Sequence, residues 1–324
     1  MNHSDDIICT LYEGDFHMGV AGLANSLHAV GFRGTLLVGY RGDLPRWCHP
    51  LTDERVGELS VQILKAHSLT IHFVKVDTDY HLTNYKPDFI LIAAKNFPEA
   101  KNLFYFDPDI VLTESWKYYQ EWVNMGIALC EDINSPLAKN HPQRLSWRTY
   151  FAAYNITLTY KDSIYVNGGF VGLRREQIDF LELWKSIQEA MAPAIGGLSK
   201  SSIGKSGTPR PVAKDAIEAF YKTDQDALNA TTEAYSKDCS TIGKEAMGFG
   251  QGYKLMAHAQ GRYKPWSKAY IRTTLSAHPP SFAEKEYWKH VSAPIALIPP
   301  FKLKIIKLKI GLCNFIGRFY RRVS

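Results

Sequence analysis

Leu103-Phe104-Tyr105-Phe106-Asp107-Pro108-Asp109-Ile110-Val111-Leu112 decides the fold: an apolar run broken by two carboxylates with a proline between them. Leu, Phe, Tyr and Phe in succession suit a strand covered on both faces, and Pro108 has no N–H to continue a ladder. The reading is a buried strand that stops at Pro108 and presents Asp107 and Asp109 at the mouth of a sheet. Ligands of open α/β sheets gather at the carboxyl ends of strands. A solvated Asp-Pro turn is the alternative that the stretch by itself leaves open.

Upstream, Ile7 to Leu11 reads as a first strand, followed by the polar break Tyr12-Glu13-Gly14-Asp15. A helix is expected from His17 to Val30, where Leu23, Leu27 and Val30 recur at helical spacing, with Gly31 at its C-cap. Gly34 to Tyr40 is a second strand, and strand, helix, strand predicts a parallel sheet. A further helix is expected from Thr52 to His67, a strand from Ile71 to Val76, and a helix starting at Pro87 and running to Asn96. Downstream, Gly126 to Cys130 is a short strand ending in Glu131-Asp132. Ser163 to Leu173 contains a strand with two adjacent glycines, which weaken a strand unless another backbone or a ligand approaches closely. Arg175 to Ala192 is an amphipathic helix, Gly196 to Pro211 a surface loop, and Ala213 to Tyr221 a helix. Thr223 or Asp224 is placed to cap the helix after it.

The chain has 324 residues, 45% hydrophobic and 22% charged, enough for a substantial core and ordinary for a globular protein. The net charge of +6 would suggest a nucleic-acid partner, but the seven basic residues between Pro299 and Ser324, with no acid among them, leave the rest of the chain at −1. A nucleic-acid-binding body is thereby excluded. Five widely spaced cysteines without a CxxC pair suit a reducing compartment and argue against a disulfide framework or a structural zinc. With no signal peptide and no apolar run of about 20 residues, a cytoplasmic location is expected.

Chemistry-bearing residues fall in blocks: Phe-Asp-Pro-Asp at 106–109, Val-Asn-Gly-Gly-Phe at 166–170, Thr-Asp-Gln-Asp-Ala-Leu-Asn at 223–229, and His-Ala-Gln-Gly-Arg-Tyr-Lys-Pro-Trp at 258–266. Two carboxylates and an imidazole among these blocks would make a ligand set for a divalent cation that also holds phosphate oxygens. The imidazole favours Mn2+ over Mg2+, and Lys264 is in reach of the same anion.

In this order and spacing the blocks resemble the retaining family 8 glycosyltransferases of the GT-A fold, over roughly residues 7–271. The resemblance extends to bacterial lipooligosaccharide galactosyltransferases and, more distantly, to glycogenin. It implies an α/β GT-A domain over residues 1–291, a mixed, mostly parallel sheet between helices. It implies Asp107, Asp109 and His258 as metal ligands and Lys264 as the diphosphate-binding lysine. Asn167, Gly168 and Gly169 would lie near the donor sugar, with glycine at 168 where the family has alanine. Asp224, Gln225 and Asp226 would lie beside the reacting carbon. Tyr12, Asp15 and Gly261 are further donor-binding candidates, although the segment around Tyr12 is only loosely like that of the family. The family's basic residue before the aspartate pair corresponds to Lys86 or Lys95. Asp132 is the acceptor-binding candidate.

The function so implied is metal-dependent transfer of a hexose from a nucleoside diphosphate sugar, UDP-linked by resemblance, to a saccharide acceptor in cell-surface glycan or lipopolysaccharide synthesis. A sugar nucleotidyltransferase would want a Gly-rich basic loop after strand one, where Glu13-Gly14-Asp15 is acidic. A non-catalytic member of the fold would have a damaged site. Residues 292–324 are expected to be a Pro-rich linker and a basic amphipathic tail. In that tail Leu312, Phe315, Ile316, Phe319 and Val323 form one apolar face, while Phe301 to Ile310 is ambiguous between strand and helix. Such a tail suits the surface of an anionic membrane.

Overall fold

Strand β1 (Asp6–Glu13) is buried along all but its last residue. It leads into α1 (His17–Ala29), and β2 (Gly34–Arg41) returns parallel to β1. Gly31, at φ 93°, adopts the left-handed conformation that lets the chain leave the helix. These elements belong to a computed structural model that describes residues 5–201, 219–261 and 263–320.

Where a helix is expected over Thr52–His67, the chain forms a hairpin of β3 (Thr52–Val56) and β4 (Leu59–Ala66). Two features override the helical pattern. Gly57 turns the chain at φ 58°, and its neighbour Glu58 donates its N–H to the Asn96 side chain at 2.7 Å. Along β4 the burial then follows a period of two, with Val61 and Ile63 entering one core and Leu64 and Ala66 the other.

β5 (Leu69–Lys75) precedes α2 (Lys86–Asn96), β6 (Asn102–Phe106), β7 (Ile110–Leu112), α3 (Trp116–Trp122), β8 (Ile127–Cys130) and α4 (Pro142–Ala152). There follow β9 (Phe170–Arg174), α5 (Asp179–Ile195), α6 (Thr223–Ala234), β10 (Cys239–Ile242) and β11 (Met256–His258). The last elements are α7 (Tyr270–Leu275), α8 (Phe282–Tyr287) and α9 (Pro300–Gly317). The helix expected over Ala213–Tyr221 lies mostly outside the described residues, as does most of the expected loop after Gly196.

The main sheet is mixed, in the order β10-β8-β9-β6-β1-β2-β5-β4-β3, and its centre, β6-β1-β2-β5, is parallel. Both faces are covered. Phe89 and Ile90 of α2, Phe180 and Trp184 of α5 and Leu228 of α6 fill one core. Val20, Leu23 and Leu27 of α1 with Trp116 and Tyr119 of α3 fill the other. The architecture is α/β of Rossmann-like kind, and the alternation of side chains along β1 explains both cores: Ile7, Cys9 and Leu11 face one, Ile8 and Tyr12 the other.

A third core joins Val111 and Ala257 to Tyr270, Tyr287 and Trp288, and it includes Leu303, Ile310 and Cys313 of α9. The segment expected to be a linker is tied down: Asn25 donates to the carbonyls of His290 and Ile295 at 2.9 Å each and accepts the Ile295 N–H at 2.8 Å. Residues 292–320 are therefore packed on the body and not a separate tail. Among the described residues no helix is long and apolar enough to cross a membrane.

Candidate functional site

β6 ends at Phe106, where Asp107 donates its N–H to the Gly169 carbonyl at 2.8 Å. Pro108 then makes the turn, closed by the Ile110 N–H on the Asp107 carbonyl at 3.1 Å. Pairing resumes at β7, but in a second, two-stranded sheet: Ile110 lies opposite His258 of β11, and the Ala259 N–H reaches the Asp109 carbonyl at 3.0 Å. That short antiparallel ladder delivers the imidazole to the acids. One ligand atom from each of Asp107, Asp109 and His258 lies within 4.8 Å of the others. His258 Nε2 is 3.3 Å from Asp109 Oδ1 and 4.0 Å from Asp107 Oδ2. Two carboxylates and one imidazole nitrogen on a half-open turn could hold a metal ion.

Two lysines flank the set. Lys86, at the N-terminus of α2, is 1% exposed, with Nζ 3.0 Å from Asp107 Oδ1, 3.1 Å from Asp224 Oδ2 and 2.8 Å from the Gly168 carbonyl. Burial by itself would release its proton, yet the two carboxylates outweigh burial and push its pKa up to about 12. Lys86 thus stays charged and fixes Asp107 relative to α6. Lys264 donates to Asp109 Oδ2 at 2.6 Å and to the Ala259 carbonyl at 3.0 Å, and Phe16 lies beneath its ammonium. Burial of Asp109 opposes ionisation, but Lys264 and His258 prevail and hold its carboxyl well below the usual range.

The paired glycines differ in purpose. A Cβ on Gly169 would stand 2.6 Å from the His258 ring and 3.1 Å from Asp107 Oδ2, so only glycine lets those side chains approach. A Cβ on Gly168 would meet Asp224 Oδ2 at 3.2 Å, a tight but adjustable contact. The Gly168 N–H donates to Gln225 Oε1 at 3.1 Å, and Gln225 Nε2 is a buried donor with no partner in the structure. Asp226 is fully buried, and its Oδ1 accepts from Tyr165 Oη at 2.6 Å and from Gln143 at 3.0 Å, its Oδ2 from the Lys222 N–H at 2.7 Å. Burial nevertheless pushes its pKa up to about 7. Asp224 is spoken for by Lys86.

Of the remaining candidates, Asp15 accepts from Trp266 Nε1 at 3.0 Å, beside the Lys264 block. Gly261 takes φ 96°, with open space where a Cβ would stand. Lys95 is remote from the site and pairs with Glu58 at 2.6 Å; Lys86 is the basic residue at the aspartates. Tyr12, expected to bind the donor, instead turns into the core with Tyr40 stacked at 6.1 Å, because its place in the β1 alternation points it towards α1. Asp132, expected to meet an acceptor, is 0% exposed. Its oxygens accept from Asn167 at 2.6 Å, from the Asn134 N–H at 2.9 Å and from Gln260 at 3.3 Å, with Lys222 Nζ at 3.5 Å. Asn167, Asn134 and Lys222 together outweigh its burial and lower its pKa. It orients Asn167 and Gln260.

Sequence reasoning missed several supports. Tyr105 Oη donates to Asp107 Oδ1 at 3.1 Å, and its place two residues before the acid, on the same side of the strand, was the available signal. Asn229 grips both polar groups of Val166 and the Gln225 carbonyl, one turn after Gln225. Tyr165 and Gln143 are joined to Asp226 only by the fold, and no pattern in the sequence announces them. Compared with protein-family models and with curated proteins, the chain matches none.

Proposed function

We propose that the protein is a metal-dependent glycosyltransferase of GT-A type, transferring a hexose with retention from a UDP-linked donor to a saccharide acceptor. One observation carries this reading: Asp107, Asp109 and His258, brought from distant parts of the chain, converge beside two lysines and the Asn167–Gly169 backbone. Held by these three ligands, Mn2+ would neutralise the diphosphate as negative charge develops on it.

The chain's own groups fit the rest of the reaction. Lys264 supplies a second positive charge for the departing diphosphate. Gln225 and the carbonyls around Asn167 would offer their dipoles to the oxocarbenium-like carbon, and Asp226 holds Tyr165 and the start of α6 in place. The bond from the anomeric carbon to the diphosphate oxygen breaks, the acceptor oxygen bonds to that carbon with retained configuration, and the acceptor proton leaves towards the diphosphate. A Gly-rich basic loop, which a nucleotidyltransferase would want after β1, is replaced by Glu13-Gly14-Asp15.

The decisive experiment follows UDP release from a panel of UDP-sugars with Mn2+. At least one donor should turn over, chelation should stop it, and Asp109→Ala should lower the rate at least about 100-fold. No donor consumed by the wild type, or full turnover without metal, overturns the reading.

A further inference from the structure

Helix α9 has two apolar faces, and only one of them is covered. Leu303, Ile310 and Cys313 are buried in the third core. On the opposite side Phe301, Ile305, Leu308, Leu312 and Phe315, with Phe319 in the turn that follows, are between 44% and 76% exposed. Their spacing alternates between four residues and three, which keeps a single line along the helix. Eighteen helical residues make this line about 27 Å long.

The charge beside the line has one sign. At 100° per residue, Lys302 and Lys309 stand along one edge and Lys304, Lys307 and Arg318 along the other, and all five are exposed. None pairs with a carboxylate among the described residues, and no acid occurs from Pro299 onward. Packed on α9, α7 adds exposed Ile271 and Leu275 with Arg272. Monomeric proteins rarely show water an apolar strip of this length.

We infer that α9 lies in the plane of an anionic phospholipid bilayer, its Phe301–Phe319 stripe among the acyl chains and its two lysine rows on headgroup phosphates. The charge selects this occupant. A second copy packed on the stripe would set basic rows against basic rows with no acid in α9 to answer them. A neutral apolar partner would leave those rows without a purpose. Amphipathic helices of this composition, cationic on both flanks of a Phe- and Leu-rich face, bind in the interface. The helix is also fixed to the body: Tyr270, in the same core, donates its hydroxyl to the Pro265 carbonyl at 3.1 Å, next to Lys264. A bound bilayer is therefore held at a set distance from the candidate site.

The test is flotation of the full chain with vesicles of phosphatidylcholine alone, or with about a quarter phosphatidylglycerol. Binding to the anionic vesicles, weakened by high salt and slight on the neutral ones, is expected. The double variant Leu308→Glu/Leu312→Glu should abolish it. Lys304→Glu/Lys307→Glu should lower partitioning at least about 25-fold, at about five-fold per lysine. Every substituted side chain is exposed, so the melting temperature should not move, and sedimentation equilibrium checks the oligomeric state. Equal binding to neutral and anionic vesicles, or variants that bind like wild type, overturns the inference. So does a dimer that Leu308→Glu/Leu312→Glu dissociates with no vesicle binding in either form, which assigns the face to a second copy.

Discussion

Gly168 and Gly169 are adjacent, yet their substitution should have opposite outcomes. Gly169→Ala drives a methyl into His258 and Asp107; it should abolish Mn2+ binding, read by isothermal titration, and cost about 1–3 kcal/mol of stability. Gly168→Ala meets one carboxylate oxygen at 3.2 Å and should stay within about 1 kcal/mol of wild type in urea melts. Lys86 is a buried cation between two acids, so Lys86→Met leaves both without a counter-charge and should cost about 3–5 kcal/mol.

Asp226 sets a pH dependence. Its carboxyl has pKa 3.8 ordinarily and about 7 in the folded chain, so between these values the folded state keeps a proton that the unfolded state releases. Stability from this group is full at low pH and falls as pH rises to about 7, by on the order of 2–4 kcal/mol. Denaturation midpoints measured across pH 4 to about 8 should show that decline in wild type and a flatter profile in Asp226→Asn.

The site depends on how closely α1 approaches the Pro108 turn. A Cβ on Gly19 would stand 2.3 Å from the Pro108 carbonyl oxygen, so the helix and the turn touch through bare backbone. Gly19→Ala should push the turn away and weaken Mn2+ binding at least about 10-fold, although residue 19 touches no ligand. Sequence patterns reach such elements unevenly. The β1-α1-β2 opening was legible because its helix repeats apolar residues at helical spacing and ends at Gly31. The acids at Asp107 and Asp109 were legible because proline interrupts a fully apolar run. The hairpin at β3 and β4 was not, since Val61, Ile63 and Leu64 satisfy either period, and the turn at Gly57 is secured by Asn96, far along the chain. Nor was the inward turn of Tyr12, which depends on the phase of the β1 alternation. In the tail, lysines among the apolar residues of Phe301–Ile310 concealed a helix with two apolar sides. The place of His258 came from resemblance to a family, because spacing alone does not reveal a two-strand ladder joining positions 110 and 258.

At the scale of the whole molecule, three cores are present among the described residues, and α9 separates packing from surface along a single helix. Ile310→Asp places a charge in the third core and should lower the melting temperature by several degrees. Leu308→Asp, on the exposed side, should leave the unfolding free energy within about 1 kcal/mol of wild type.

The pairing of Met256, Ala257 and His258 with Leu112, Val111 and Ile110 also has a consequence in time. Contacts between segments so distant in sequence close slowly, because the intervening loop entropy must be overcome first. The main sheet does not include β11, so a refolding chain can regain most of its secondary structure while its candidate cation ligands are still apart. Affinity for Mn2+ then reports the last closure: in stopped-flow refolding it should lag the far-ultraviolet signal, and a nascent chain should gain it only after β11 has left the ribosome.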